Sequence, residues 1–380
     1  MDRFRVVLLG GYAGDGWISI GRYQRELART LQALPGEPRL ELTSWVPDPG
    51  QVFNGLCSAG PLGAKIASHW SRFMVYPRQL SSMSEDIYHF MDQSLSHLMG
   101  RLDPSRTVIT CHDLLHFPLW QQRSRQSPWP WATDRFYRFC VGQMIRCARV
   151  IAVSQKNKED AVEYLGCDPA RITVVHEGVS PAFRAAPDLR RVEELRASLK
   201  LPPGPILLHV GIPVFYKNME GLLRALAELR QRLRCPTTLL RAGPPLTRAQ
   251  EELARTLGIA DAIREMGILD DRTLPLLYRL ADCFVFPSLY EGFGFPPLEA
   301  MACGLPVVVS DRGSLPEVVG DAALLVDPED PLAIAKAAQR VLEDPALREQ
   351  LRARGLERSK QFSWERCAEE TFEVYRQVLA

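Results

Sequence analysis

Short apolar runs alternate with amphipathic stretches along most of the chain, and this alternation predicts the fold class. The runs are rich in valine, leucine and isoleucine, which is typical of strands buried on both faces of a parallel sheet. Repeated strand–helix units favour doubly wound parallel sheets, an α/β fold. The predicted strands are 4–9, 40–45, 87–90, 107–110, 150–154 and 172–175, followed by 206–210, 237–242, 263–266, 283–286, 307–309 and 324–326.

The strands fall into two series, separated by the proline-rich turn at 202–205. A chain of 380 residues is long for a single hydrophobic core, so two domains are expected. The tail from 330 to 356 is predicted to be helical. A final helix is expected from 363 to 379, with Ser363 as its N-cap.

Composition and charge exclude several classes of protein. The formal net charge of +1 argues against general nucleic-acid binding. The nine cysteines contain no Cys-x-x-Cys pair, which argues against a disulfide framework or a zinc site and favours a reducing compartment. The N-terminal apolar run is too short for a signal peptide, and no stretch approaches the roughly 18 apolar residues of a membrane span. We therefore expect a cytosolic protein.

The stretch 288–304 carries the clearest chemistry. Its two prolines and final glycine suit a short helix between the predicted strands 283–286 and 307–309. A helix N-terminus at the carboxyl end of a parallel strand attracts anions. Glu291 and Glu299 flank this helix start, with seven residues between them. An anion site with two carboxylates suits a sugar nucleotide, and the alternative is a surface loop with two solvated glutamates.

The pattern Glu291-x7-Glu299, continued to residue 328, resembles the nucleotide-sugar motif of the family 4 retaining glycosyltransferases of GT-B fold. The resemblance implies two Rossmann-like, doubly wound parallel-sheet domains that face an inter-domain cleft. It also implies that the last helix returns to the first domain. The expected domains are therefore an acceptor-side domain, 1–183 with 363–380, and a nucleotide-sugar donor domain, 184–362.

The resemblance assigns roles to individual side chains. It implies that Lys217 binds the donor diphosphate, that Glu291 accepts hydrogen bonds from the sugar, and that Glu299 accepts them from the ribose. His112 follows the predicted strand 107–110, at the edge where α/β sheets bind ligands. The resemblance places this histidine against the donor sugar, and the alternative is a structural histidine. The expected catalytic residues are His112, Lys217 and Glu291.

Loops at strand ends are expected to complete the donor site. The glycine-rich loop after the first strand is expected to face the diphosphate and the acceptor, with a simple tight turn as the alternative. Prolines 296 and 297 have no N–H, so backbone donation falls to their neighbours. The loop after strand 263–266 is where relatives contact the base. The expected substrate-binding residues are Gly14, Asp15, Gly16, Gly211, Lys217, Asn218, Ile268, Gly294, Phe295, Leu298 and Glu299.

Three features concern the leaving group and the local structure. Ile212 and Tyr216 stand where many relatives carry arginine, so no second cation for the diphosphate is assigned. The sequence has no Asp-x-Asp pair of the kind that holds a metal–diphosphate, so neither a metal nor another cofactor is expected. Ser314 and Glu317 have capping-box spacing before an apolar helix, which predicts a structural role for Glu317.

The leading hypothesis is a retaining glycosyltransferase that takes a sugar from a UDP- or GDP-sugar to an acceptor hydroxyl, with ADP-sugars not excluded. The expected partners are the donor and a sugar or lipid-linked sugar acceptor, without nucleic acid. Two alternatives are a sugar-nucleotide epimerase of the same architecture and a catalytically silent sugar-nucleotide-binding subunit. Tryptophans and arginines between 120 and 138 suit either packing on the sheet or peripheral contact with the inner membrane face.

Overall fold

The computed structural model divides the chain into two compact units, Met1–Gly178 with Trp364–Ala380, and Val179–Ser363. The glycine-rich loop residues Gly14, Asp15 and Gly16 lie outside the described residues. The structure describes residues 3–11, 18–35, 39–46, 63, 70–81, 83–119, 130–186 and 188–380.

The first unit is built on a six-stranded sheet in the order β2-β1-β3-β4-β5-β6, with every neighbouring pair parallel. Its strands are β1 (Arg3–Leu9), β2 (Arg39–Trp45), β3 (Ile87–Phe90), β4 (Thr107–Cys111), β5 (Arg149–Ala152) and β6 (Ile172–Val174). Its helices are Ile18–Ala33, Tyr76–Leu80, Pro130–Gly142, Gln155–Leu165 and Trp364–Leu379, with a π-helical turn at Ser71–Val75 and 3-10 segments at Gln93–Arg101, Pro104–Arg106, Gln143–Arg146 and Pro169–Arg171.

The second unit is also built on a six-stranded parallel sheet, in the order β12-β11-β10-β7-β8-β9. Its strands are β7 (Ile206–Val210), β8 (Thr238–Ala242), β9 (Ile263–Gly267), β10 (Cys283–Phe286), β11 (Val307–Ser310) and β12 (Ala323–Val326). Its helices are Pro181–Arg184, Leu189–Leu199, Met219–Leu233, Arg248–Thr256, Leu274–Leu280, Phe295–Ala302, Leu315–Val319, Pro331–Glu343 and Pro345–Ser359, with 3-10 turns at Phe215–Lys217 and Ala260–Ala262.

Strand order locates the ligand edge of the second sheet. The chain runs outward from β7 to β9, then returns to place β10 on the other side of β7. Ligands of doubly wound sheets bind at such a switch point, beyond the carboxyl ends of the strands. The loops after β7 and β10 are therefore the place where a ligand is expected in this unit.

The apolar strands predicted from the sequence form the cores of both units. Strands β3, β4, β10 and β11 are buried along their whole length, as expected for parallel strands covered on both faces. Helices pack against these strands, for example Met219–Leu233 and Pro331–Glu343 against Leu207 and Val285. The prediction of doubly wound parallel sheets is confirmed.

The helical tail is divided at Asp344. This residue is extended, with φ −108° and ψ 98°, and its carboxylate accepts a hydrogen bond from Leu347 N at 3.0 Å. Pro345 has no N–H to continue the preceding helix, but it suits the first position of a new one. The tail therefore forms Pro331–Glu343 and Pro345–Ser359. Among the helices of the described ranges, none combines the length and apolar character needed to cross a bilayer.

Candidate active site

Lys217 and Glu291 meet at the switch point of the second sheet. Lys217 closes the short turn after β7, and Glu291 lies in the loop after β10. The ammonium Nζ lies 2.7 Å and 2.9 Å from the two carboxylate oxygens of Glu291. The two side chains are only 13% and 11% exposed. The sequence assigned these residues to the diphosphate and to the sugar separately, whereas the structure joins them in one ion pair.

Aromatic rings surround the Lys217 ammonium. Its Nζ lies 5.0 Å from the centroid of the Phe286 ring and 5.4 Å from that of Tyr216, distances at which a cation is attracted to a ring face. From the sequence, no second cation is assigned at Tyr216, and the structure places an aromatic ring beside Lys217 there. The Tyr216 backbone carbonyl accepts a hydrogen bond from Leu289 N at 2.7 Å, which ties the β7 loop to the β10 loop.

Asn218 links the loop after β7 to the loop after β10. It adopts a left-handed conformation with φ 53° and begins the helix Met219–Leu233, where its Oδ1 accepts from Gly221 N at 3.2 Å. Its Nδ2 donates to Pro287 O at 3.1 Å and to Pro328 O at 2.6 Å. Both the oxygen and the nitrogen of the Asn218 amide are therefore hydrogen-bonded. This arrangement suits a residue that positions the adjacent Lys217 beside the loop after β10.

Ser314 supports the loop that carries Glu291. Its Oγ lies 2.6 Å from Phe293 O and 3.0 Å from Glu291 O, and its backbone N–H donates to Glu291 O at 3.2 Å. The capping box predicted for Ser314 and Glu317 is wrong, because the hydroxyl makes no cap hydrogen bond to the helix that it precedes. The Ser314 hydroxyl instead donates its proton to backbone carbonyls of the loop after β10. This contact fixes the backbone at Glu291.

The helix Phe295–Ala302 begins at Gly294, whose φ of 121° favours glycine. A Cβ there would lie 2.8 Å from Leu315 Cδ2, so the position is also sterically restricted. Leu298 is buried, and its N–H donates to Gly294 O at 3.4 Å as the first bond of the helix. Phe295 N–H precedes that bond and belongs to the set of helix-start donors that attract anions.

Glu299 lies inside this helix and is 2% exposed. Tyr278, from the helix Leu274–Leu280, donates its hydroxyl proton to Glu299 Oε2 at 2.8 Å. A buried carboxylate needs such partners to offset its lost hydration. Sequence reasoning did not identify Tyr278, because only the packing of the two helices brings it to Glu299.

An arginine that the sequence analysis missed lies behind the β7 loop. Arg241, at the end of β8, is fully buried and donates to Gly211 O at 3.3 Å, to Glu265 Oε1 at 3.2 Å and to Pro244 O. Burial lowers the pKa of Arg241 below its ordinary value, while Glu265 opposes that change. The sequence signal was a charged residue inside the apolar run 237–242.

Gly211 is in close contact with Arg241 and with Gly243. A Cβ at the neighbouring Gly243 would lie 2.2 Å from Gly211 O, so the two loops approach each other closely. His209 precedes Gly211 by two residues and is fully buried. Its ring stacks on that of Phe286, with the ring centroids 5.7 Å apart. Burial, with Arg241 and Lys217 nearby, lowers the pKa of His209 to about 3, so this ring is neutral.

Ile268 follows edge strand β9 and is 66% exposed. The carbonyl of Gly267 before it accepts a hydrogen bond from Gly243 N at 2.8 Å, so this turn is joined to the end of β8. An exposed apolar side chain beside backbone groups suits a flat ring such as a nucleotide base. The base contact that the resemblance implies for this position stays a prediction.

His112 directly follows β4 in the first unit. Its Nδ1 lies 3.1 Å from Glu177 Oε1 and its Nε2 lies 2.9 Å from Met91 O. The ring of Tyr23 meets it edge-on at a centroid distance of 4.7 Å. Burial acts to lower the pKa of His112, but the hydrogen bond to Glu177 and its charge, with Asp92, raise it above the ordinary value.

Sequence reasoning missed Glu177. It lies between β6 and the helix Pro181–Arg184, and no local pattern pairs it with a histidine 65 positions earlier. The structure shows the side chain 2% exposed, which requires a partner such as His112. Within the ranges that the structure describes, no three histidine, cysteine, aspartate or glutamate side chains are grouped so that they could hold a metal ion.

Comparison with known proteins identifies the family. The model described as "Glycosyl transferases group 1" matches residues 191–358, and the one described as "Glycosyltransferase Family 4" matches residues 20–183. O-antigen chain mannosyltransferase B of Escherichia coli is 31% identical over 377 residues, covering 94% of this chain and 95% of that protein. The chain belongs to the family 4 glycosyltransferases.

Two further likenesses define the extent of the match. Serotype-specific mannosyltransferase WbdA of Escherichia coli is 32% identical over 288 residues, so the match spans 73% of this glycosyltransferase but 34% of WbdA. HepE of Anabaena, solved in complex with UDP and glucose, aligns with a TM-score of 0.73 at 19% identity, over 98% of this chain and 100% of HepE. At that identity the likeness shows the fold alone. The predicted GT-B fold class and the predicted enzyme class are confirmed.

Proposed function

We propose that this glycosyltransferase is a retaining enzyme that moves a sugar from a UDP- or GDP-sugar to an acceptor hydroxyl in polysaccharide or glycolipid assembly. The Lys217–Glu291 pair at the switch point of the second sheet carries the proposal. A donor of this kind needs a cation for its diphosphate and an acceptor for its sugar hydroxyls, and the pair supplies both at one sheet edge.

The neighbouring elements fit the rest of the donor. The N-terminus of the helix Phe295–Ala302 offers partial positive charge to the diphosphate. Glu299 keeps one oxygen on Tyr278, and a carboxylate has further lone pairs with which to accept from the ribose hydroxyls. The exposed Ile268 supports a base site beside β9. We propose that these groups bind the base, the ribose, the diphosphate and the sugar of the donor.

The chemistry proposed for transfer uses the departing diphosphate as the base. The acceptor hydroxyl gives its proton to a phosphate oxygen on the same face of the sugar from which the bond breaks, so configuration at the anomeric carbon is retained. Negative charge builds on the diphosphate as the glycosidic C–O bond lengthens, and Lys217 with the helix start stabilises it. We propose that neither a divalent metal nor another cofactor takes part.

The sequence relatives favour one sugar. The relatives described above from Escherichia coli are an O-antigen chain mannosyltransferase and a serotype-specific mannosyltransferase. We therefore propose mannose as the first sugar to test, with GDP-mannose as its donor and a saccharide or lipid-linked saccharide as acceptor.

The first unit carries a face that suits a membrane surface. Phe139 and Phe136 are exposed on the helix Pro130–Gly142, beside the exposed Arg135. Met74, also exposed, lies in the neighbouring turn Ser71–Val75, which contacts this helix where the Phe73 and Phe136 rings approach to 5.5 Å. Residues 120–129 of the predicted membrane segment lie outside the described residues. We propose that apolar rings and arginines on this face contact anionic lipid at the inner membrane face.

A donor screen tests the proposed function. The protein is incubated with GDP-mannose, UDP-glucose or ADP-glucose and a set of saccharide and lipid-linked saccharide acceptors, and products are separated by mass. A new α- or β-linked product with the donor's own anomeric configuration supports a retaining transferase. Interconversion of sugar nucleotides without an acceptor would instead identify an epimerase, and donor binding without any product would identify a silent binder.

A further inference from the structure

The His112 ring is fixed by acceptors on both of its nitrogens. Nδ1 lies 3.1 Å from the Glu177 carboxylate, and Nε2 lies 2.9 Å from the Met91 carbonyl oxygen. The backbone N–H of His112 donates to Gln93 Oε1 at 3.0 Å. These contacts come from the ends of β3 and β6 and leave the ring a single orientation.

The chemistry of these partners defines the protonation state. A neutral imidazole has one N–H donor and one lone pair, whereas an imidazolium has two donors. A carbonyl oxygen and a carboxylate only accept, so a neutral His112 would turn a lone pair toward an acceptor. Glu177 is 2% exposed, so water does not compete for its oxygens. Two N–H donors on His112 and an ionised Glu177 satisfy every contact.

A second buried histidine in the same unit shows the contrast. The Nδ1 of His89 lies 2.6 Å from Tyr375 Oη, and its Nε2 lies 2.7 Å from Thr110 Oγ1. Hydroxyls donate as well as accept, so a neutral ring satisfies both contacts. Burial, together with the charge on His112, lowers the pKa of His89 to about 3. The two rings therefore differ in charge because their partners differ.

We propose that Glu177 is a positioning residue that holds His112 as a fixed imidazolium, so that this histidine contributes positive charge to the reaction and does not act as a base. The proposal rests on the proposed transferase function for its catalytic consequence only. A fixed cation can stabilise negative charge that builds up during a group transfer. No lone pair of this ring is available to take the acceptor's proton.

The surroundings of His112 set the direction of its pH dependence. The pKa of His112 is raised, so its charge is complete below the ordinary histidine pKa and is lost as the pH rises through the raised value. Burial raises the pKa of Tyr23, so that ring stays neutral. The titratable groups around the imidazole are Glu177, Asp92, His89 and Tyr23.

Nitrogen-15 NMR of histidine-labelled protein tests the charge state without any substrate. In the wild type, His112 should show two protonated ring nitrogens at neutral pH and titrate above the ordinary histidine range, while His89 stays neutral. Glu177→Gln keeps the side-chain shape but removes the negative charge, so the His112 titration should move to lower pH. Glu163→Gln, which changes an exposed glutamate in the same unit, is the matched control and should leave it unchanged.

Kinetics separate this proposal from the proposed function. The release of GDP from GDP-mannose, or of UDP from UDP-glucose, is followed from pH 6 to pH 9 in both variants. The alkaline fall in rate should move to lower pH in Glu177→Gln and stay in place in Glu163→Gln. A wild-type His112 that carries one proton at neutral pH would overturn the proposal, even if Glu177→Gln failed to fold. A doubly protonated His112 in a protein that turns over no donor would overturn the transferase function only.

Discussion

The Lys217 ammonium contacts both carboxylate oxygens of Glu291, at 2.7 Å and 2.9 Å. The proposed donor needs each of these groups, one for its diphosphate and the other for its sugar. Charge-assisted bonds between poorly exposed groups are among the stronger side-chain contacts. A nucleotide diphosphate that binds Lys217 must therefore compete with Glu291 for the ammonium or share it. The two residues are expected to act as a coupled unit when they are mutated.

Replacing Lys217 with alanine should lower turnover strongly. The change removes the cation at the switch point, and one lost electrostatic contact to a developing charge decreases kcat by roughly two to three decades. Steady-state kinetics with the donor found in the screen measures the effect. Lys336→Ala, at an exposed position in the same unit, is the control and should retain full activity. Equal rates for both variants would show that Lys217 does not contact the leaving group.

Turnover should not depend on a divalent metal. In the proposed mechanism, Lys217 and the start of the helix Phe295–Ala302 stabilise the charge of the leaving diphosphate. Initial rates are compared before and after extensive EDTA treatment, then after addition of magnesium or manganese. Equal rates are expected throughout. Loss of all activity in EDTA, restored by either metal, would contradict the proposed leaving-group chemistry.

The apolar face of the first unit should bind anionic vesicles. Burying one phenylalanine side chain contributes about 1.5–3 kcal/mol, so Phe139→Ser should weaken binding roughly tenfold to a hundredfold. Sedimentation with phosphatidylglycerol vesicles at low salt measures the bound fraction, and phosphatidylcholine vesicles test the contribution of charge. Val162→Ser alters an exposed apolar residue elsewhere in the same unit and should bind as the wild type does. No binding of the wild type to either vesicle would remove the hypothesis.

The sequence was sufficient for the architecture because the fold depends on patterns that repeat locally. Runs such as 283–286 and 307–309 are apolar throughout, and the structure buries all four residues of β10 and of β11. The parallel direction of the strands follows from the strand–helix alternation once these runs are recognised, but the order of the strands does not. The division of the helical tail at Asp344 also has a local cause, which is a capping carboxylate followed by a proline.

The contacts of the candidate site could not be predicted because they join distant parts of the chain. Lys217 and Glu291 are 74 positions apart, and they meet only because β7 and β10 are neighbours in the sheet. The spacing of Ser314 and Glu317 predicted a local cap, but the hydroxyl bonds to carbonyls more than twenty positions earlier. A buried arginine in β8 signalled a special position, although nothing local identified Gly211 as its partner.

Changing Glu299 or Glu291 to glutamine should have different effects on ligand binding. Glu299 is buried against Tyr278 and is proposed to hold the ribose, which is common to the donor and to the free nucleotide. A hydrogen bond to a charged acceptor contributes about 1.5–3 kcal/mol, so Glu299→Gln should weaken the binding of both ligands roughly tenfold to a hundredfold. Calorimetric titration with GDP and with GDP-mannose, or the corresponding uridine pair, measures both affinities. Tyr278→Phe keeps the carboxylate and should cause a smaller loss for both ligands.

Glu291→Gln should lower turnover but strengthen the binding of the free nucleotide diphosphate. If the diphosphate binds Lys217 as proposed, the wild-type carboxylate competes with it, and glutamine removes that competition without removing bulk. If about 1.4 kcal/mol of the ion-pair energy opposes binding, affinity for the diphosphate should rise about tenfold. The intact donor should gain less, because it also loses the proposed bond between its sugar and Glu291. The same titrations decide the matter: weaker diphosphate binding in Glu291→Gln, with Glu299→Gln unaffected, would mean that the donor lies in the reverse orientation along the sheet edge.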